Sequence, residues 1–392
     1  MKKNRVFLIF FLLLIIIASF SCKKKEKIQV KPLETSKPIV KKVPKKIEIP
    51  KKIKPPKFTR GIYLSAYTVA SKKFKPIIKK AKKAGINTVV FDLKNMNGDV
   101  FFKQKKELKY LKKNHIRIIN IKKTVEYLHS QNMRTASRIV MFHDQHLAKL
   151  YDELRPQKKS GGYWQESKRK KAWLDSSNPK VQKYLLSLIE VAAKSGVDEI
   201  QLDYIRFPTQ GKQSQLQLYY QKVDKKIARE DSTYISRKRE DIIVAFLQKV
   251  HKLCSKYNVT LTGDVFAITA WQRNADIKAT GQNIKRMTKN LDGIHPMVYT
   301  SHFAKNFSFR KNAYNEPYYI VFKSTELTKR YSDSKCRVIP YIQSNSWKVN
   351  YVSDYIYAQI QAIKDAKGNG YILWNASNKY DKTLSWIADK KM

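Results

Sequence analysis

The stretch VDEIQLDYIRFPTQGK, residues 197–212, places Asp198, Glu199, Asp203 and Arg206 inside a run that is otherwise apolar and β-prone. Burying charge is costly unless the charge is paired or used. Strand alternation shows how the run can carry it. Over 199–205, Ile200, Leu202 and Tyr204 share one face and would pack under helices, while Glu199, Gln201 and Asp203 share the other. Such a strand fits the wall of a closed barrel, apolar outside and polar within.

The rest of the chain supplies the other walls. From Phe58 onward, short β-rich segments alternate with amphipathic helical stretches, the pattern of a parallel sheet. Eight strands are predicted: GIYLSAY (61–67), TVVFDLK (88–94), RTASRIV (134–140), EIQLDYI (199–205), LTGDVFA (261–267), GIHPMVY (293–299), RVIPYIQ (337–343) and GYILWNA (370–376). Helical stretches such as FKPIIKKAKKAG (74–85) and DIIVAFLQKVHKLC (241–254) fall between them. The fold class is therefore α/β, a (β/α)8 TIM barrel. Glycines in AGIN (84–87), SGVD (195–198) and KGNG (367–370) are expected to end helices in the left-handed conformation. The loops after strands three to six are long, and this fold carries its catalytic loops on that side.

The same alternation turns Asp92 and Lys94 inward on strand two, Arg138 on three, Thr262 and Asp264 on five, His295, Met297 and Tyr299 on six, and Tyr341 and Gln343 on seven. Barrel interiors are normally filled by branched apolar side chains, so this many polar groups near one rim points to a site. Paired carboxylates are what glycoside hydrolysis needs, one ionised to attack or activate water, the other protonated for the departing oxygen. Asp203, near Arg206 and Lys94, suits the ionised role, and Asp264, with fewer cations nearby in sequence, suits the acid. The alternative is a self-satisfied ion-pair network of Asp92, Lys94, Arg138, Asp203 and Arg206 with no chemistry.

Aromatic side chains crowd the long loops: Tyr163, Trp164 and Trp173 after strand three, Trp271 after five, and Phe303, Phe307 and Phe309 after six. Pyranose C–H groups pack on such faces, and Trp164, beside Gly161 and Gly162, and Trp374, ending strand eight, are the best-placed platforms. HDQH at 143–146 lacks further ligands at metal-binding spacing and reads as a capped loop. Phosphate-cradling loops, serine elbows and dinucleotide fingerprints are absent, so no cofactor and no metal is expected.

The blocks RGIYLSAY, VVFDLKNMNG, SRIVMFHD, WLDSSNP, GVDEIQLDYIRFPTQGK, GDVFA, IHPMVYTSHF and YILWNASNKY run in the order and spacing of a family of bacterial secreted domains catalogued as glycoside hydrolases. The chain resembles that family over about residues 58–385, a TIM barrel related to the α-amylase-like glycosidases. The resemblance implies a carbohydrate substrate, Asp203 at the fourth-strand position of the nucleophile and Asp264 at the fifth-strand position of the acid/base. Asp92, Arg138, Trp164, Asp175, Arg206, His302, Gln343 and Trp374 are the expected substrate-binding residues. His143 and His295 depart from the family pattern and are assigned no role.

The N-terminus reads as an export signal: Lys2, Lys3 and Arg5 precede an apolar run, Val6 to Phe20, too short for a membrane span. It resembles a bacterial lipoprotein signal over residues 1–22, with Cys22 as the lipid-attachment site; an uncleaved anchor is the alternative. Residues 23–57 are lysine and proline with few large apolar groups, a disordered tether to the barrel at 58–392. The chain is expected outside the cytoplasm, membrane-anchored through lipid. Cys254 and Cys336 read as buried hydrophobes, although an oxidising compartment permits a bridge.

The formal charge of +49 comes from 80 Lys+Arg against 31 Asp+Glu in 392 residues. The excess is scattered lysine without a docking motif, which argues against nucleic acid and leaves an anionic envelope surface as a partner. The expectation is a glycosidase acting on an envelope or environmental polysaccharide. Its rivals are a non-catalytic carbohydrate-binding surface lipoprotein and a structural lipoprotein.

Overall fold

Eight parallel strands close on themselves in the computed structural model, which describes residues 51–103, 110, 115–167, 172–309 and 311–390. They are β1 (Thr59–Leu64), β2 (Thr88–Lys94), β3 (Arg134–Val140), β4 (Glu199–Asp203), β5 (Thr260–Phe266), β6 (Gly293–Val298), β7 (Tyr341–Gln343) and β8 (Gly370–Trp374). Each pairs in parallel with its neighbours, and β8 pairs with β1. The fold is the (β/α)8 barrel read from the sequence. The leader with Cys22 and the tether up to residue 50 lie outside the described residues.

Helices cover the barrel by the expected logic. Phe74–Lys83 buries Phe74, Ile78 and Ala81, spaced four and three apart, and leaves its lysines in water. Pro179–Lys194 starts where Asn178 caps Lys180 and proline sits in the first turn. Outward strand residues, among them Ile62, Phe91, Ile139, Ile200, Leu202, Val265 and Leu373, join the helices in one outer core. A smaller inner cluster holds Tyr63, Val90, Ala136, Tyr299, Ile339, Tyr341 and Ile372.

Several strands differ from their expected bounds for local reasons. β1 stops at Leu64 because Ser65 caps the short helix Ala66–Val69. β4 stops at Asp203 because Tyr204 turns into left-handed backbone, φ 52°. The seventh wall is split into Arg337–Val338 and Tyr341–Gln343 around Pro340, which has no N–H for the ladder. Before β8 the left-handed residue is Lys367, φ 55°, while Gly85 and Gly196 hold the other two turns as expected. After β2 an unforeseen insertion adds Val100–Phe102, antiparallel to β2, and His115–Ile119.

Lysine 94 does not face inward. A bulge after Asp92 sets Lys94 opposite Ile139, an outer-core residue. Its ammonium lies 3.0 Å from Asp144 with both side chains fully buried, and it also donates to the Val140 carbonyl. Asp144, the aspartate of HDQH, caps the helix Gln145–Leu150 through Leu147. His146 bonds Asp99 and His143 bonds the Met96 carbonyl, so the motif is a capped loop.

The barrel floor is closed from below by residues counted with the tether. Lys52 donates to the Val197 carbonyl, the Ile53 amide to Asp198 at 2.7 Å, Arg134 to the Ile53 carbonyl, and Arg337 to the Pro56 carbonyl at 2.6 Å. The folded unit therefore begins upstream of Phe58.

Asp144→Asn keeps the cap acceptor but strands the Lys94 charge, and is expected to cost about 3–5 kcal/mol in guanidinium unfolding. Adding Lys94→Met should restore most of that loss. Equal stability of Asp144→Asn and the parent would refute the pairing.

Candidate active site

The barrel strands deliver polar and aromatic groups to the mouth. Arg138 of β3 bridges two carboxylates: Nη1 lies 2.5 Å from Asp92 Oδ1 on β2, and Nη2 lies 2.6 Å from Asp203 Oδ2 on β4. Nε of Arg138 also donates to Asp203 at 3.1 Å. Tyr63 of β1 donates to the other oxygen of Asp92 at 2.6 Å. The amide of Tyr204 donates to Asp203 Oδ1 at 2.6 Å. A non-glycine residue in left-handed backbone costs about 1–3 kcal/mol, so the tyrosine after Asp203 is strained to make this bond.

Leu202 pairs with Gly263 across β4 and β5, which sets Asp203 and Asp264 at one height on adjacent strands. Both face inward. Asp264 accepts from Gln201 at 2.5 Å, and Gln201 also donates to the Tyr341 hydroxyl at 2.8 Å. Burial, then the charge of Asp203, hold the Asp264 carboxyl well above the usual carboxylate range. Burial also raises Asp92, against the pull of Arg138 and Tyr63. Burial opposes the charge on Arg138, yet Asp92 and Asp203 raise its pKa well above the ordinary arginine value. One cation thus faces three carboxylates, and the cheapest relief is a proton on Asp264. The cation on Asp203 is Arg138, where the sequence reading puts Lys94 and Arg206.

Below this layer lies a second charged group. Glu199 accepts from Thr262 at 2.9 Å and meets Arg134 at 3.3 Å and His295 at 3.5 Å. Burial alone would raise it, but His295 and Arg134 bring it down to about 2. These residues are spent on one another, a structural network at the floor.

The carboxylates sit deep, Asp203 4 % and Asp264 1 % exposed, under a rim of half-buried Arg138, Phe266, Met297 and Trp374. Trp374 stacks on Tyr299 with centroids 4.6 Å apart; Tyr299 meets the His302 ring at 5.3 Å, and His302 meets Trp347 at 4.9 Å. This row runs from the floor of the mouth to solvent, where Trp347 is half exposed.

Not every expected residue joins the mouth. Trp164 is buried, its indole donating to the Lys212 carbonyl, and it anchors the β3 loop to the β4 loop where Gln157–Lys158 pairs with Leu216–Gln217. Asp175 caps its own loop, accepting from Ser177 and from the Tyr219 amide. Gln343 is saturated by Ser301, Asn345 and Trp347 and shapes the β7 loop. Arg206 does reach the rim, where it stacks on Phe266, Trp173 and Tyr204, but it makes no bond to Asp203. Asp92 and Arg138 gather with Asp203 and Asp264, and Trp374 and His302 join the mouth through the ring of Tyr299. Sequence reasoning missed Tyr63, which the alternation of GIYLSAY would have turned inward, and Trp347, for which no local signal exists. Among the described residues no group of three or more His, Cys, Asp or Glu is placed to hold a metal.

The fold is shared with solved glycosidases. The glycoside hydrolase domain of PgaB (BpsB) from Bordetella bronchiseptica covers 85% of this chain and 98% of its own, at 10% identity and TM-score 0.62. A beta-galactosidase from the psychrophilic Marinomonas ef1 covers 85% and 59%, at 7% identity and TM-score 0.59. The hyperthermostable endo-1,4-beta-D-mannanase from Thermotoga petrophila RKU-1 covers 81% and 88%, at 9% identity and TM-score 0.51. At such identities the likeness is one of fold alone. No curated protein matches the chain by sequence. A family model does match, over residues 61–380, which span every barrel strand from β1 to β8 and both inward aspartates, and the chain accordingly belongs to the family described as "Putative glycosyl hydrolase domain".

Proposed function

We propose that the protein hydrolyses a glycosidic bond in an envelope or environmental polysaccharide by a two-carboxylate mechanism. The observation that carries this reading is the pair Asp203 and Asp264, level on adjacent strands at the barrel mouth, the first ion-paired with Arg138 and the second buried with its carboxyl held well above the usual range. Asp203, paired with Arg138, acts as the ionised carboxylate that attacks the anomeric carbon or activates water. Asp264 gives its proton to the departing oxygen. The acidic surplus around Arg138 favours the positive charge that develops on the sugar ring in the transition state. Trp374, Tyr299 and His302 offer ring faces for the sugar. The β4 and β5 positions of the two aspartates support kinship with α-amylase-like glycosidases.

Export by the leader and lipid attachment at Cys22 belong to the same proposal, supported by the charge and apolar pattern of residues 1–22. A second reading is a carbohydrate-binding surface lipoprotein that has lost turnover. It is favoured by the depth of Asp264 and by the protein partners both carboxylates already hold.

Turnover separates the two. On a panel of polysaccharides, Asp203→Asn should abolish hydrolysis and leave glycan binding within a few-fold, and Asp264→Asn should lower kcat/KM about 10²–10⁴-fold. A wild-type protein that binds glycans without reducing-end release would refute the hydrolase.

Asp264 also makes a pH prediction. A carboxyl with a raised folded-state pKa contributes stability that is complete below the ordinary aspartate pKa and lost as pH rises through the raised value. Asparagine mimics the protonated form, so Asp264→Asn should be more stable than the parent near neutral pH, with the advantage vanishing in acid. Activity of the parent should fall over the same alkaline limb, as unfolding curves and pH–rate profiles would show.

A further inference from the structure

Of the four buried lysine and arginine residues among the described residues, three meet carboxylates: Lys94 with Asp144, Arg134 with Glu199, and Arg155 with Asp152. Arg206 is the exception. It is 7 % exposed, and its single hydrogen bond among the described residues runs from Nη1 to the carbonyl of Phe207 at 3.0 Å. Its guanidinium lies 4.0 Å from the ring centre of Phe266, 4.7 Å from Trp173 and 5.2 Å from Tyr204. These rings hold the plane in place without neutralising it. Among the described residues its other two nitrogens have no hydrogen-bond acceptor, although the charges of Asp203 and Glu166 act on it from further off.

The placement gives that vacancy meaning. Phe266 ends β5 two residues after Asp264, and Tyr204 follows Asp203 directly, so Arg206 stands on the rim between the two aspartate-bearing strands. Burial draws its pKa down to about 10, the sign of a cation held without full compensation. A largely buried guanidinium with no close ion-pair partner among the described residues is kept at a cost that an incoming anion would lower. Its planar fork matches a carboxylate with two parallel N–H groups.

We propose that Arg206 receives the carboxylate of an acidic sugar next to the scissile bond, making uronate-bearing polysaccharides the substrate class. This rests on the reading of the mouth as a carbohydrate site and adds the charge of its ligand. The scattered lysines would attract any polyanion from a distance, so the test must separate one buried arginine from the bulk field.

The probe is an oligogalacturonate and its methyl ester, which differ in charge and share a backbone, titrated calorimetrically into the full protein carrying Asp203→Asn to block turnover. The acid should bind about tenfold or more tightly than the ester. Arg206→Gln should erase that preference, Arg206→Lys should keep only part of it, and exposed Lys79→Gln, which removes the same unit charge, should leave it intact. Circular dichroism checks the folding of each; if Arg206→Gln unfolds, the Arg206→Lys comparison decides. Equal binding of acid and ester, equal losses in Arg206→Gln and Lys79→Gln, or preference for sulfated dextran over the oligogalacturonate would overturn the assignment. Wild-type turnover of neutral glycans without acid preference overturns this inference alone. Arg206-dependent acid binding with no turnover of any glycan overturns the hydrolase alone.

Discussion

An eight-stranded barrel is only wide enough to be filled by side chains, so every charge inside it must meet a partner across that narrow bore. The guanidinium of Arg138 is where this constraint is resolved. It spans from Asp92 on β2 to Asp203 on β4, and its own strand lies between them. Its two ion pairs tie three adjacent strands together at the rim. They also leave the third carboxylate, Asp264, with an amide donor from Gln201 and, among the described residues, no ion-pair partner of its own. The electrostatic inequality between the two aspartates thus follows from the count of charges a closed barrel can accommodate, rather than from any special residue beside Asp264.

The interior is layered accordingly. At the floor, Glu199, Arg134, His295 and Thr262 satisfy one another. Midway, Gln201 links Asp264 to Tyr341. At the mouth, carboxylates, the guanidinium of Arg138 and a run of aromatic rings face the opening. Polarity rises in consequence from closed to available along the barrel axis, which is how one strand, EIQLD, can hold a paired floor network at its first residue and present a carboxylate to the mouth at its last.

Most of the fold was legible because period-two alternation and helix periodicity are local signals that a barrel honours on every wall. The inward positions of Asp92, Arg138, Asp203 and Asp264 came from that arithmetic alone. The errors came where the backbone departs from the period. A bulge turned Lys94 out to Asp144, and left-handed backbone took Tyr204 off the strand. Loop residues were the weakest guide. Trp164 and Asp175 have the right chemistry for a sugar site, but their contacts are set by loop-to-loop packing, which no spacing encodes. Trp347 reaches the aromatic row only because the β7 loop folds back onto His302.

The strap at Lys52–Pro56 has a mechanical consequence. It is laced to Val197, Asp198, Arg134 and Arg337, all at the strand beginnings, at the pole opposite the rim that carries Asp203 and Asp264. Any pull on the chain upstream of Lys51 is therefore delivered to the base of the cylinder and shared among several walls. The rim that carries Asp203 and Asp264 lies at the other end of the strands, away from that load.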